Sequence, residues 1–194
     1  PELMKNNLLE SLYYFHYQPP IYNLIVGLFY KIFSDNFGIA FEFFYMMLTL
    51  FTSVIVYKTL IKLNVRRHVS LLASIYFLIL PQTLVYEKYL IQTWSVVFLI
   101  TLVIYLYLRL TINRKVKDFF YLFFVLVTLC LVRSAFHYLY YLTISSAVFY
   151  FFKKERKQFL YGWSIPTLFL FSVLFKNYIV FGFFGASSGV GGSL

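Results

Sequence analysis

Four short stretches of this 194-residue chain hold side chains that could bind an anion and move a proton. They are His16-Tyr17-Gln18-Pro19-Pro20, then Tyr86-Glu87-Lys88-Tyr89, then the turn from Arg133 through Ser134 to His137, and last Lys176-Asn177-Tyr178. Lys88, Arg133 and Lys176 beside the acids Glu2, Glu10 and Glu87 are the set needed to neutralise a lipid phosphate and deprotonate a hydroxyl. Charge-assisted bonds to phosphate come from Lys and Arg, and proton transfer from a positioned carboxylate. Gln18, His137 and Asn177 would add neutral hydrogen bonds to a substrate. Each group also has a plainer reading. His16 among aromatics serves as an interfacial hydrogen-bonder, Glu87-Lys88 as a solvated turn, Arg133 as a side chain snorkelling toward phosphates, and Lys176 as an interfacial anchor.

The elements that would carry these groups follow from composition. Hydrophobic residues make up 61% of the chain and charged ones 12%, which excludes an ordinary soluble domain. The apolar residues fall in runs between short charged punctuations, the pattern of helices that cross a hydrocarbon layer about 30 Å thick. The expectation is an all-α, polytopic membrane protein with six transmembrane helices, near 39–57, 69–86, 89–108, 119–132, 138–152 and 159–176. Of the 17 basic residues, twelve lie in three clusters between alternate spans: Lys58, Lys62, Arg66 and Arg67; Arg109, Arg114, Lys115 and Lys117; Lys153, Lys154, Arg156 and Lys157. The bias of Lys and Arg toward cytoplasmic loops places these inside, so the net charge of +10 belongs to membrane flanks and not to a nucleic-acid surface.

Parity then puts residues 1–38 outside as the end of an extracytoplasmic loop, 39–176 in the bundle, and 177–194 outside as a flexible tail. Pro20 to Phe33 is apolar but has only 14 residues, about 21 Å of helix. It is read as an amphipathic helix on the outer surface, with Pro20 in its first turn and Ser34-Asp35-Asn36-Phe37-Gly38 as its exit. Asp118 to Phe152 is too short for two full crossings plus a turn, so the turn holding Arg133, Ser134 and His137 is expected below the outer surface, lining a cavity.

The lone Cys130 excludes an intrachain disulfide and a Cys-based metal site. There is no phosphate loop, dinucleotide fingerprint, HExxH or G-x-S-x-G, and Gly185-Ala186-Ser187-Ser188-Gly189-Val190-Gly191-Gly192 reads as a loop or frayed end. Pro1 in place of an initiator Met, with no signal-peptide pattern, leads to the expectation that the chain is the interior of a longer protein. Besides an enzyme, a transporter or lipid-handling protein would want cations facing one leaflet, and an assembly subunit would want only a packing helix.

In the order of its motifs the chain resembles the GT-C membrane glycosyltransferases, which include polyprenyl- and dolichyl-phosphate-sugar-dependent mannosyl- and arabinosyltransferases. The resemblance rests on Gln18-Pro19-Pro20-Ile21-Tyr22-Asn23-Leu24, Lys31-Ile32-Phe33, Leu80-Pro81 and Tyr86-Glu87-Lys88-Tyr89, and covers roughly residues 1–110. Two positions depart from the family pattern: His16 stands two residues ahead of the usual His, and Lys88 replaces an Arg. The resemblance implies transfer of a sugar from a polyprenyl-phosphate donor on the extracytoplasmic side, with Glu2 and Glu87 as catalytic acids and Lys88 and Arg133 on the donor phosphate. His16, Gln18, His137, Lys176 and Asn177 are then substrate contacts. It implies a multi-pass protein of a prokaryotic plasma membrane or the endoplasmic reticulum, whose partners are the bilayer and the lipid-linked sugar. It calls for no nucleotide and admits one cofactor, a divalent cation at the first-loop acid; the residues themselves indicate no metal site. The family's acid often comes as a pair, and a partner of Glu2 falls before Pro1, so the chain by itself is expected to be inactive.

Overall fold

The computed structural model describes residues 7–14, 16–88 and 92–188. Glu2 lies outside the described residues, as do the side chains of Glu87 and Lys88. The described residues form helices and no strand: α1 (Leu8–Tyr14), α2 (Pro20–Phe33), α3 (Phe37–Lys62), α4 (Arg67–Ile79), α5 (Pro81–Lys88), α6 (Thr93–Asn113), α7 (Val116–Val132), α8 (Tyr138–Phe151) and α9 (Arg156–Phe181). Single 3₁₀ turns, Ser34–Asn36 and Lys153–Glu155, lead into α3 and α9.

Three helical runs are long and apolar enough to cross a membrane: Pro20–Lys62, Thr93–Asn113 and Lys153–Phe181. The surface of the bundle supports lipid contact, because large apolar side chains point outward along most helices; Leu72, Ile79, Ile165 and Leu168 are each more than 60% exposed. The seams between helices use small and hydroxyl-bearing residues instead. Ser53 Oγ donates to the Ser74 carbonyl at 2.8 Å between α3 and α4, and Trp94 Nε1 donates to Thr49 Oγ1 at 2.6 Å between α6 and α3. Such contacts drive helix association where burial of oil against oil supplies little.

The core runs through α6, α7, α8 and α9. α7 is central: Phe119, Leu122, Phe123, Leu126, Val127 and Leu131 are all buried. α9 crosses α7 at Gly162, where a Cβ would sit 2.5 Å from Phe119 Cβ and 2.8 Å from the Phe120 nitrogen and the Val116 carbonyl oxygen. Only a residue without a side chain permits that approach.

Two expected boundaries change. The span 69–86 is not one helix: α4 stops at Ile79, Leu80 takes an extended conformation (φ −60°, ψ 130°), and Pro81 opens α5. Proline supplies no N–H to the helix ladder and pushes its predecessor out of the helical region, so the break falls where the chemistry requires it. The expected free tail at 177–194 also begins later than 177, because α9 continues to Phe181 and ends at Gly182 in the left-handed region (φ 75°). Residues 183–188 turn back onto the bundle.

α2 keeps the expected bounds. The ring pairs Tyr30–Phe37, Phe29–Phe41 and Phe29–Phe44, with centroids 5.1 to 5.6 Å apart, fold it back along the first half of α3.

Candidate functional site

One end of the bundle collects the candidate groups that the structure describes. The starts of α2 and α6, the ends of α7 and α9, and residues 183–188 meet there.

Arg133 is the C-cap of α7 and adopts an extended backbone (φ −139°, ψ 127°), which turns its side chain from the apolar face of α7 toward α6. Its Nη1 donates to Thr93 Oγ1 at 3.3 Å. Thr93 is the first residue of α6, five positions after Lys88, and α5 packs against α6. Arg133 therefore bonds the helix start that follows the Glu87-Lys88 segment in the chain. Of the turn expected to line a cavity, Ser134 and His137 border one of about 130 Å³, closed on its other side by Phe183, Phe184 and Ser187, while Arg133 is not part of its lining. His137 is the N-cap of α8, where its Nδ1 accepts the Leu139 N–H at 3.5 Å.

His16, Lys176 and Asn177 reach this end too, but each already has a structural partner. His16 Nδ1 lies 2.9 Å from Ser188 Oγ, and the Ser188 N–H donates to the His16 carbonyl at 2.8 Å. The His16 ring packs on Phe181 with centroids 4.3 Å apart. Lys176 Nζ donates to the Tyr13 carbonyl at 3.0 Å and lies 5.3 Å from the centroids of both the Tyr13 and Phe181 rings. It also borders an open groove between α1 and α9 that includes Leu12, Pro20 and Ser172. Asn177, buried, donates from Nδ2 to the Gly185 carbonyl at 2.6 Å and the Ala186 carbonyl at 3.3 Å, which holds residues 183–188 in place. Gln18 contributes its carbonyl, which accepts from Asn23 Nδ2 at 3.4 Å.

Residues absent from the expected site are Ser187 and Ser188. Ser187 is 4% exposed, and its hydroxyl has no hydrogen-bond partner among the described residues. A small-residue run after an apolar helix carries no periodicity, so only its hydroxyls hinted at a role. Among the described residues no three His, Cys, Asp or Glu side chains come together as metal ligands, and the first-loop acid falls outside them.

The opposite end holds the basic loops. Arg114 Nη1 bonds Glu155 Oε1 at 2.9 Å, joining the α6–α7 turn to the α8–α9 turn. Arg109 Nε lies 2.7 Å from Oδ1 of the fully buried Asp118, an ion pair without hydrogen-bond alignment.

Comparison with known protein families, with curated proteins and with solved structures finds no match for this chain.

Proposed function

We propose that this chain is the membrane-embedded part of a glycosyltransferase that moves a sugar from a polyprenyl phosphate to an acceptor hydroxyl on the extracytoplasmic side. Six crossings carry it, with the three basic loops in the cytoplasm and α2 against the outer leaflet. The observation that supports the reading most is Arg133: a half-buried cation from the end of α7 bonds the first residue of α6, beside the segment bearing Glu87 and Lys88. A cation recessed near a leaflet gains a strong bond when a lipid phosphate enters, because the phosphate has then left bulk water.

In this mechanism Lys88 and Arg133 hold the donor phosphate and Glu87 orients Lys88 or the acceptor. Glu2 takes the proton of the acceptor hydroxyl as its oxygen attacks the anomeric carbon. The bond from that carbon to the phosphate oxygen breaks, polyprenyl phosphate departs, and the configuration inverts. His16, Lys176 and Asn177, with their internal partners, act by shaping this end of the bundle.

The test compares Glu2→Gln, Lys88→Ala and Arg133→Ala in the full-length protein, at matched expression, with a polyprenyl-phosphate sugar as donor. Each variant is expected to lose about 10²-fold or more in turnover, the usual effect of removing a transition-state contact. Wild-type turnover in all three rejects the site. A second reading, a lipid-handling protein without transfer activity, is favoured by an apolar groove of about 760 Å³ between α2 and α3, lined by Phe29, Phe33, Ile39, Phe43 and Met47. No turnover with any lipid-linked donor by the unaltered full-length protein would decide for it.

A further inference from the structure

The cavity beneath residues 183–188 has the chemistry of a binding site of its own. Its polar lining consists of Ser134, His137 and Ser187, and among the described residues that border it there is no carboxylate. Because His137 Nδ1 accepts the Leu139 N–H, the neutral ring carries its proton on Nε2 and offers a donor there. Ser187 is buried with its hydroxyl unpartnered among the described residues, an arrangement that is destabilising unless something fills the need. Two hydroxyls and an imidazole N–H around a space of about 130 Å³ suit a ligand that only accepts hydrogen bonds. The walls are rings, Phe136, Tyr138 and Phe184 among them, whose edges are electropositive. The volume equals about four water molecules at about 30 Å³ each, enough for one tetrahedral oxyanion and too little for a lipid chain.

Two sets of contacts hold the segment over the cavity. Residues 183–187 form the roof, Asn177 anchors it at Gly185 and Ala186, and Ser188 fastens its far end to His16 through side chain and backbone. Gly182 is the pivot, since its left-handed backbone reverses the chain after α9.

We propose that this cavity is a gated site for a phosphate-type oxyanion, and that the His16–Ser188 contact is its latch. The site is separate from the sugar-transfer reading and stands whether or not the chain transfers sugar. The test uses the full chain in a neutral detergent, titrated calorimetrically with inorganic phosphate and, separately, with hexyl phosphate as a soluble stand-in for a lipid headgroup. One equivalent of at least one probe is expected to bind. Binding of both identifies a free anion as a ligand, and binding of hexyl phosphate alone identifies a headgroup. His137→Phe and Ser187→Ala, the second removing only one oxygen, should each weaken binding about tenfold, the worth of a hydrogen bond to a charged group. With His16→Cys and Ser188→Cys together, the oxidised protein should bind neither probe and the reduced protein should recover binding. The backbone hydrogen bond between these residues already brings their chains within disulfide reach. If the wild type binds neither probe, or both point variants bind as the wild type does, the site is refuted. Equal binding by the oxidised and reduced double variant refutes the latch.

Discussion

Asp118 is the fully buried carboxylate among the described residues, and its partner Arg109 is 30% exposed. Removing one member of such a pair leaves the other desolvated and unpaired, whereas replacing both with apolar residues of similar volume is often neutral. Asp118→Ala is therefore expected to lower stability by about 3 kcal/mol. The double variant Asp118→Leu with Arg109→Met should melt closer to the wild type than Asp118→Ala does, in detergent-solubilised protein followed by thermal denaturation. A double variant that melts below Asp118→Ala would show that the pair contributes by something other than charge compensation. From the sequence Asp118 was one acid in a basic loop. Its burial arises because α7 is enclosed by α6 and α9 as far as its first turn, a long-range packing effect that no local pattern encodes.

Helix length and helix contact decide the element scale. The turns at Ser34–Asn36, Arg114-Lys115 and Lys153–Glu155 fall where polar residues interrupt apolar runs, and were legible for that reason, whereas the break at Leu80-Pro81 lay inside a span read as continuous. The crossing of α7 and α9 was not, because Gly162 looks like any other helical glycine until its neighbours are known. Two of the three contacts its Cβ would make are with backbone atoms, which cannot swing aside. Gly162→Ala should lower stability by about 1–3 kcal/mol through overpacking. Gly38→Ala on α3, where a Cβ meets nothing within 4 Å, should leave melting unchanged or raise it slightly. Equal effects of the two substitutions in a melting experiment would contradict the close crossing.

For the whole molecule the testable quantity is topology. Arg114–Glu155 ties two of the basic loops together, so they must share one side of any membrane the bundle crosses. Cys130 is 3% exposed and should stay silent to a polar maleimide, which leaves a clean background for introduced cysteines. Lys115→Cys and Lys154→Cys are expected to react only after permeabilisation, and Asn36→Cys on intact cells. Labelling of Lys154→Cys but not Asn36→Cys on intact cells would invert the proposed orientation. Opposite behaviour of Lys115→Cys and Lys154→Cys would contradict the fold itself.

Local chemistry sufficed for the all-helical architecture, the bounds of α2, the apolar runs and the alternation of basic loops, because each depends on residues within a turn or two of one another. Local chemistry could not reveal that Ser188 comes back to His16, that Arg133 reaches Thr93, or that Asn177 holds the roof of a pocket. The first two contacts join residues far apart in the chain and depend on α6, α7 and α9 packing side by side, and the third depends on the chain reversal at Gly182. Helical periodicity specifies which face of a helix is apolar, but the neighbour that covers it is chosen by shape, as at Gly162, and by paired polar groups, as at Asp118.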